Sequence, residues 1–322
     1  VPVKISDALP ARSILEEENI FVMTEKRAVS QDIRPLRLVI LNLMPLKTST
    51  ETSILRRLSN TPLQIEVDFL RTATYTSRHA SAAYLEEFYK TFDEIRKSSY
   101  DGMIITGAPV ETMDFEDVEY WHELCDIMEW ASNHVFANLF LCWGAQAGLY
   151  YHYGIEKYPL EKKMFGVFDH NVLVPNTSLL RGFDDIFSAP HSRHTEVRAS
   201  DIESISDLEI LAAGEEAGLY IVVSKDNRQV FVFGHPEYEA HTLDQEFRRD
   251  VSRGLSIDIP KNYYVKDTPS LGPRVTWYSH AQLLYTNWLN YFVYQTTPFD
   301  LNLLPENHAK KTSPAAPSRI IP

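Results

Sequence analysis

Residues 134–152 leave this chain few folds to choose from: His-Val-Phe-Ala-Asn-Leu-Phe-Leu-Cys-Trp-Gly-Ala-Gln-Ala-Gly-Leu-Tyr-Tyr-His. The apolar opening predicts a buried strand ending at Leu141, and the small residues after it predict a closely packed helix opening at Gly144. Cys142 stands between them, at a strand tip and a helix N-terminus, where unpaired backbone N–H groups and the helix dipole favour thiolate over thiol. A lone cysteine is more often a small buried hydrophobe than a nucleophile. A second stretch shifts that balance: residues 228–237, Arg-Gln-Val-Phe-Val-Phe-Gly-His-Pro-Glu, carry His235 and Glu237 at the end of another strand-like run. Cysteine, histidine and carboxylate at the ends of separate strands are what a nucleophile, its base and the base's orienting group require.

The rest of the chain alternates strand and helix patterns. Residues 36–43, 65–70 and 100–106 read as strands, and the spacing of Thr48 and Glu51 predicts a capping box that starts a helix. Residues 82–95 and 116–132 read as helices, with Cys125 on the apolar stripe of the second and therefore in the core. This order predicts an α/β fold with a mixed, mainly parallel sheet flanked by helices. After residue 151 the pattern changes. Residues 162–168 and 186–198 read as irregular strands and loops, while 219–223 and 230–234 read as an antiparallel hairpin, so an irregular or antiparallel insertion is expected. Residues 241–253 form a helix that puts Glu246 and Arg249 on one face, and helix 279–295 buries Leu283, Leu284, Trp288 and Phe292.

With 322 residues and 44% hydrophobic content the chain can bury a large core, and no linker divides it before about residue 300. We expect an N-terminal arm over 1–35, one α/β domain over 36–300 and a disordered tail over 301–322. The net charge of −13 argues against nucleic acid or anionic membrane as a partner. Two cysteines make no disulfide framework, no basic-then-apolar leader opens the chain, and polar residues and glycines interrupt the apolar run 135–151, so a cytoplasmic protein is expected.

For acyl transfer, Cys142 supplies the nucleophile, His235 the base and Glu237 its orienting group, with the Trp143 backbone N–H as an oxyanion donor. A second donor would come from residues 46–47 or 107–108, and both loops stay open at this point. Lys47 sits on the edge where α/β folds place their sites, and Ser192 and Arg193 are placed to line a substrate pocket. His191 and His194, with His235 or His241, make only a weak metal pattern, so no metal is expected. Neither a dinucleotide-binding glycine loop nor a Walker-type loop is present.

Leu-Cys-Trp-Gly-Ala-Gln at 141–146, Gly-His-Pro-Glu-Tyr at 234–238, Leu-Asn-Leu-Met-Pro-Leu-Lys-Thr at 41–48, Ile-Thr-Gly-Ala-Pro-Val-Glu at 105–111 and Pro-His-Ser-Arg-His at 190–194 together resemble the homoserine O-acyltransferases of methionine biosynthesis. The resemblance runs from about residue 2 to residue 300 and implies a fold similar to class I glutamine amidotransferases. It implies a ping-pong reaction in which Cys142 takes an acyl group from acyl-CoA and passes it to the hydroxyl of L-homoserine, with His235 as proton acceptor and Glu237 as its partner. It further implies Lys163, Ser192 and Arg249 at the substrate site, Arg249 on the amino-acid carboxylate, Glu246 on the ammonium and Lys47 near the nucleophile. Glu111 would fill space and repel the free carboxylate of a succinyl group, which points to acetyl-CoA as donor. No bound cofactor is implied, and the resemblance suggests a homodimer. The alternatives are succinyl transfer by the same steps, a glutamine amidotransferase-type hydrolase and a non-catalytic binding protein. Phe140, where amidotransferases carry glycine two residues before the cysteine, counts against glutamine hydrolysis.

Overall fold

A computed structural model describes residues 3–6, 8–17, 23–24, 34–74, 80–298 and 301. Among them, twelve strands form one sheet: β1 (Val3–Ile5), β2 (Met23–Thr24), β3 (Leu36–Leu41), β4 (Ile65–Leu70), β5 (Tyr89–Lys90), β6 (Tyr100–Ile105), β7 (Val135–Leu141), β8 (Tyr158–Val172), β9 (Ile186–Glu196), β10 (Leu208–Gly214), β11 (Gly218–Ser224) and β12 (Gln229–Val232). Their order is β2-β1-β4-β3-β6-β7-β12-β11-β10-β8-β9, with β5 beside β4. Every pairing from β2 to β12 is parallel, and every pairing from β12 to β9 is antiparallel. The expected mixed, mainly parallel sheet is the one observed.

The central strands are apolar along their length because helices cover both faces. Leu38, Ile40, Ile104 and Leu139 pack toward helices Lys47–Leu58 and Tyr278–Asn287, while Val39, Met103, Ile105 and Phe140 pack toward Trp121–His134 and Trp143–Tyr153. The first of these faces also takes Trp288 and Phe292, from π-helical turns over Trp288–Tyr294. Leu284 is buried there, whereas Leu283, expected in the core, is only half-buried.

Several local expectations are corrected. The helix after β3 begins at Lys47, with no side-chain cap. Glu51 does not close a capping box; its carboxylate is fully buried and accepts from Tyr84 Oη (2.5 Å) and Tyr89 Oη, and burial raises its pKa. That claim on Tyr89 also explains why 82–95 is not one helix. Tyr89–Lys90 leaves the helix to pair with β4, and a second short helix, Phe92–Ile95, restarts as Glu94 accepts from the Thr91 N–H at 2.6 Å. The expected helix over 116–132 is a 3-10 turn, Phe115–Asp117, followed by Trp121–His134, and Cys125 is half-buried against the core. Residues 164–168 and 186–196, expected to be irregular, are paired in the long antiparallel ladder β8–β9. Its one irregularity lies between Pro159 and Met164, a bulge opposite His194 that broke the alternation on which a strand reading depends. Val3–Ile5 of the expected arm pairs with β4, and most of the tail, 302–322, lies outside the described residues.

Candidate active site

From β3 the chain crosses to β4 on one side, and it later returns to lay β6 on the other. The C-terminal ends of β3 and β6 therefore border a topological switch point, where open α/β sheets place their sites. The next two strands are β7 and β12, whose last residues, Leu141 and Val232, are register partners. The loops that carry Cys142 and His235 thus leave the sheet side by side.

Cys142 has φ 49° and ψ −116°, a left-handed-side backbone that a non-glycine residue adopts only when its surroundings impose it. Its N–H donates to Val232 O at 2.7 Å, and its carbonyl accepts from Ala145 N at 3.0 Å. The helix begins at Trp143 and lies close on the sheet: a Cβ at Gly144 would stand 2.7 Å from Thr106 O and 2.9 Å from Ile105 O. Gly107 closes the other side. A Cβ there would be 3.3 Å from Cys142 Cβ and 3.6 Å from His235 Cε1, so nucleophile and imidazole flank one glycine.

His235 Nδ1 is 2.8 Å from Glu237 Oε1, which leaves Nε2 for proton exchange. Its backbone N–H donates to Pro190 O at 2.9 Å, and the Tyr238 ring stacks on the imidazole at 4.0 Å. Burial disfavours the imidazolium, but the charges of Cys142 and Glu237 outweigh it and hold His235 well above its ordinary pKa.

A cavity of about 280 Å³ opens over this group. Glu111, Lys163, Ser192, Glu246 and Arg249 line it together with Cys142 and His235. The β8 bulge delivers Lys163, whose Nζ is 3.3 Å from Asp250 Oδ2 and 3.6 Å from Glu246 Oε2. Glu246 accepts from Ser192 Oγ and Tyr238 Oη, each at 2.6 Å. Arg249 places Nε and Nη2 each 2.8 Å from Asp250 Oδ1. Burial opposes ionisation of Asp250, yet Arg249 and Lys163 hold its carboxyl below the usual range. Glu111 goes the other way: burial raises its pKa, with partial offset from His235 and Lys163.

Four expected site residues fall outside the cavity lining: Glu237, which reaches the site only through His235, and Arg193, Lys47 and Trp143. Arg193 is buried behind it, donating to Thr195 O at 2.7 Å and to Ala217 O, so its guanidinium is spent on backbone carbonyls. Lys47 is buried with Nζ on Asn42 O, and burial lowers its pKa to about 8. Trp143 lies beside Cys142 with its ring fully buried, leaving only its backbone as a group that could serve the site. His191 and His194 diverge: His191 is buried with Nε2 3.0 Å from His170 Nε2, and His194 lines the cavity. Asp250, Tyr238 and His194 were not singled out as site residues from the sequence. Tyr238 falls in the Gly-His-Pro-Glu-Tyr run and Asp250 follows Arg249, but an acidic partner for a basic residue has no signature apart from its tertiary position.

The model of the homoserine O-succinyltransferase family matches residues 2–299. The chain belongs to that family. Among homoserine O-succinyltransferase family relatives, the homoserine O-acetyltransferase of Acetivibrio thermocellus is 57% identical over 304 residues, covering 94% of this chain and 100% of the relative. That of Lachnoclostridium phytofermentans is 58% identical over 301 residues, with the same coverage of both chains. A solved glutamine amidotransferase from Thermotoga maritima superimposes with a TM-score of 0.53 over 80% of this chain and 98% of its own, at 13% identity. One from Methylobacillus flagellatus gives 0.51 over 80% and 95%, at 14% identity. These two likenesses concern fold alone, and they match the glutamine amidotransferase-like fold that the resemblance implied.

Proposed function

We propose that this chain transfers the acetyl group of acetyl-CoA to the hydroxyl of L-homoserine through a thioester on Cys142, as a soluble cytoplasmic enzyme of methionine biosynthesis. The observation that carries the reading is the convergence of Cys142 and His235, the latter held by Glu237 from behind, on a cavity that Glu246 and Arg249 also line. The Cys142 thiolate attacks the thioester carbonyl, and the tetrahedral oxyanion collapses as the carbon–sulfur bond to CoA breaks. CoA leaves with the proton of the His235 imidazolium. Acylation removes the negative charge of Cys142, one of the two that hold His235 protonated, so the imidazole is then free to act as a base. It takes the proton of the homoserine hydroxyl as the oxygen attacks the acyl carbon, and the Cys142 thiolate departs. The steps use acetyl-CoA as a substrate and need no resident cofactor.

The Trp143 N–H, next to the nucleophile, and the 107–108 loop, beside both Cys142 and His235, suit the oxyanion. Residues 46–47 suit it less, since neither lines the cavity. Arg249 and Glu246, one turn apart on helix Thr242–Ser252, suit the carboxylate and ammonium of homoserine. The family's name favours succinyl transfer as the second reading. Glu111 argues for acetyl: its carboxyl lines the cavity, already resists ionisation there, and would face the second carboxylate of a succinyl group. Intact mass after incubation with acetyl-CoA or succinyl-CoA tests the proposal. An acetyl adduct that requires Cys142 and is discharged by homoserine is expected. A succinyl adduct in its place would reverse the assignment of Glu111, and no adduct with either donor would sink the mechanism.

A further inference from the structure

The catalytic cavity, at about 280 Å³, has room for homoserine and a short acyl group but not for the long arm that carries the acyl group in a CoA thioester. It continues into a groove of about 970 Å³, and Lys163, His194, Asp250 and Leu255 line both. One bank of the groove is β8 from Glu161 to Phe168, including the bulge. The other is the segment 255–260, Leu-Ser-Ile-Asp-Ile-Pro, which is neither helix nor strand. Folding does not account for its composition. Leu255 is 56% exposed and Ile259 46% exposed, both lining the groove, and Ile257 between them lines it too while also packing against a small buried cluster. Among the described residues, the backbone groups of residues 256–259 make no hydrogen bond to other backbone groups. Apolar side chains alternating with unpaired amides suit a chain of methylenes and amide groups.

We propose that this groove holds the pantetheine arm of the acyl-CoA donor, with the thioester end entering past Leu255 and Lys163. The inference rests on the acyl-CoA reading above. The charges define which part of the donor lies here. Lys162 pairs with Asp258 at 3.6 Å and Lys261 with Glu216 at 2.7 Å, leaving the carboxylates of Glu161 and Asp267 as the surplus charge away from the catalytic end. An anionic diphosphate is disfavoured among them and an uncharged arm is not, so the nucleotide end lies beyond the groove.

Steady-state acetyl transfer to homoserine from acetyl-CoA, S-acetylpantetheine and S-acetyl-N-acetylcysteamine tests this. The third donor lacks the part of the arm that would reach Ile259. Replacing that exposed side chain by a polar one of similar size, Ile259→Asn, is expected to raise the KM of the two long donors about tenfold, with the kcat/KM of the short donor within about twofold of the parent. Ile259→Trp, which narrows the groove, is expected to act in the same direction. Unchanged KM for the long donors in both variants would place the arm elsewhere. An equal loss with all three donors would mean that the substitutions act through the fold, and would also overturn the proposal. If the parent takes an acetyl group from none of the three, the acyl-CoA reading itself fails, which is distinct from failure of the groove.

Discussion

His235 is where sequence position and environment meet most closely. Its imidazole lies between two groups whose charges raise its pKa, and of these Cys142 is capped by the acyl group during the proposed cycle whereas Glu237 is not. Glu237→Gln removes the uncapped one and lets burial dominate, so the pKa of His235 falls. The acidic limb of the pH–rate profile for the homoserine half-reaction should then move to lower pH, because the base is neutral there sooner, while kcat drops by about a hundredfold or more from loss of orientation. A profile that keeps its midpoint would show that Glu237 does not act on His235. Glu111 supplies the second residue-scale prediction. Its folded pKa is raised, so the protonated form is the one the fold prefers; that contribution is fully present below the ordinary carboxyl value and is lost as pH rises through the raised one. Glu111→Gln should therefore melt above the parent at neutral pH, with the gap closing as the buffer is taken toward pH ~4.

Among the elements, helix Trp143–Tyr153 bears most directly on the chemistry because its first turn holds the nucleophile against two strand ends. Gly144→Ala gains about 1 kcal/mol of helix propensity. The added carbon meets two backbone oxygens within 3 Å, which cannot rotate away, and such overpacking costs about 1–3 kcal/mol. We expect a net loss of stability in urea unfolding and at least a tenfold loss of acyl-enzyme formation, since the helix can relieve the clash only by carrying Cys142 off the sheet. Full activity in a destabilised variant would separate the packing from the chemistry. This helix was legible in the sequence because strand, turn and small-residue helix occur consecutively and signal one another locally. Helix 82–95 was not, because Tyr89 is drawn out of it by the edge of β4 and by the carboxylate of Glu51, partners that lie far away in sequence. The same distance hid the fate of Glu51, whose capping-box spacing was genuine but whose side chain is better placed on two tyrosines.

At the scale of the molecule, the parallel half of the sheet supplies Cys142, His235 and the 107–108 loop, while the antiparallel hairpin and helix Thr242–Ser252 supply the opposite wall of the cavity. Asp250 joins the two parts of that wall by holding Lys163 from β8 and Arg249 from the helix. Asp250→Asn should loosen both cations and raise the KM for homoserine about tenfold, without slowing acylation of Cys142 by the donor alone. Equal damage to both half-reactions would mean that Asp250 serves the fold and not the acceptor.

The sequence by itself determined the alternation of elements, the strand-to-helix turn at Cys142 and the residue types of the triad, since each depends on neighbours a few positions apart or on motifs that stand intact in the chain. The tertiary structure decided which charges face one another. It brought Lys163, Ser192, Glu246, Arg249 and Asp250 to one wall, put Arg193 and Lys47 outside the lining, and opened the groove beside Leu255 and Ile259. Local pattern specifies which face of an element is buried; what that face meets depends on strand order and crossover geometry, to which every part of the chain contributes.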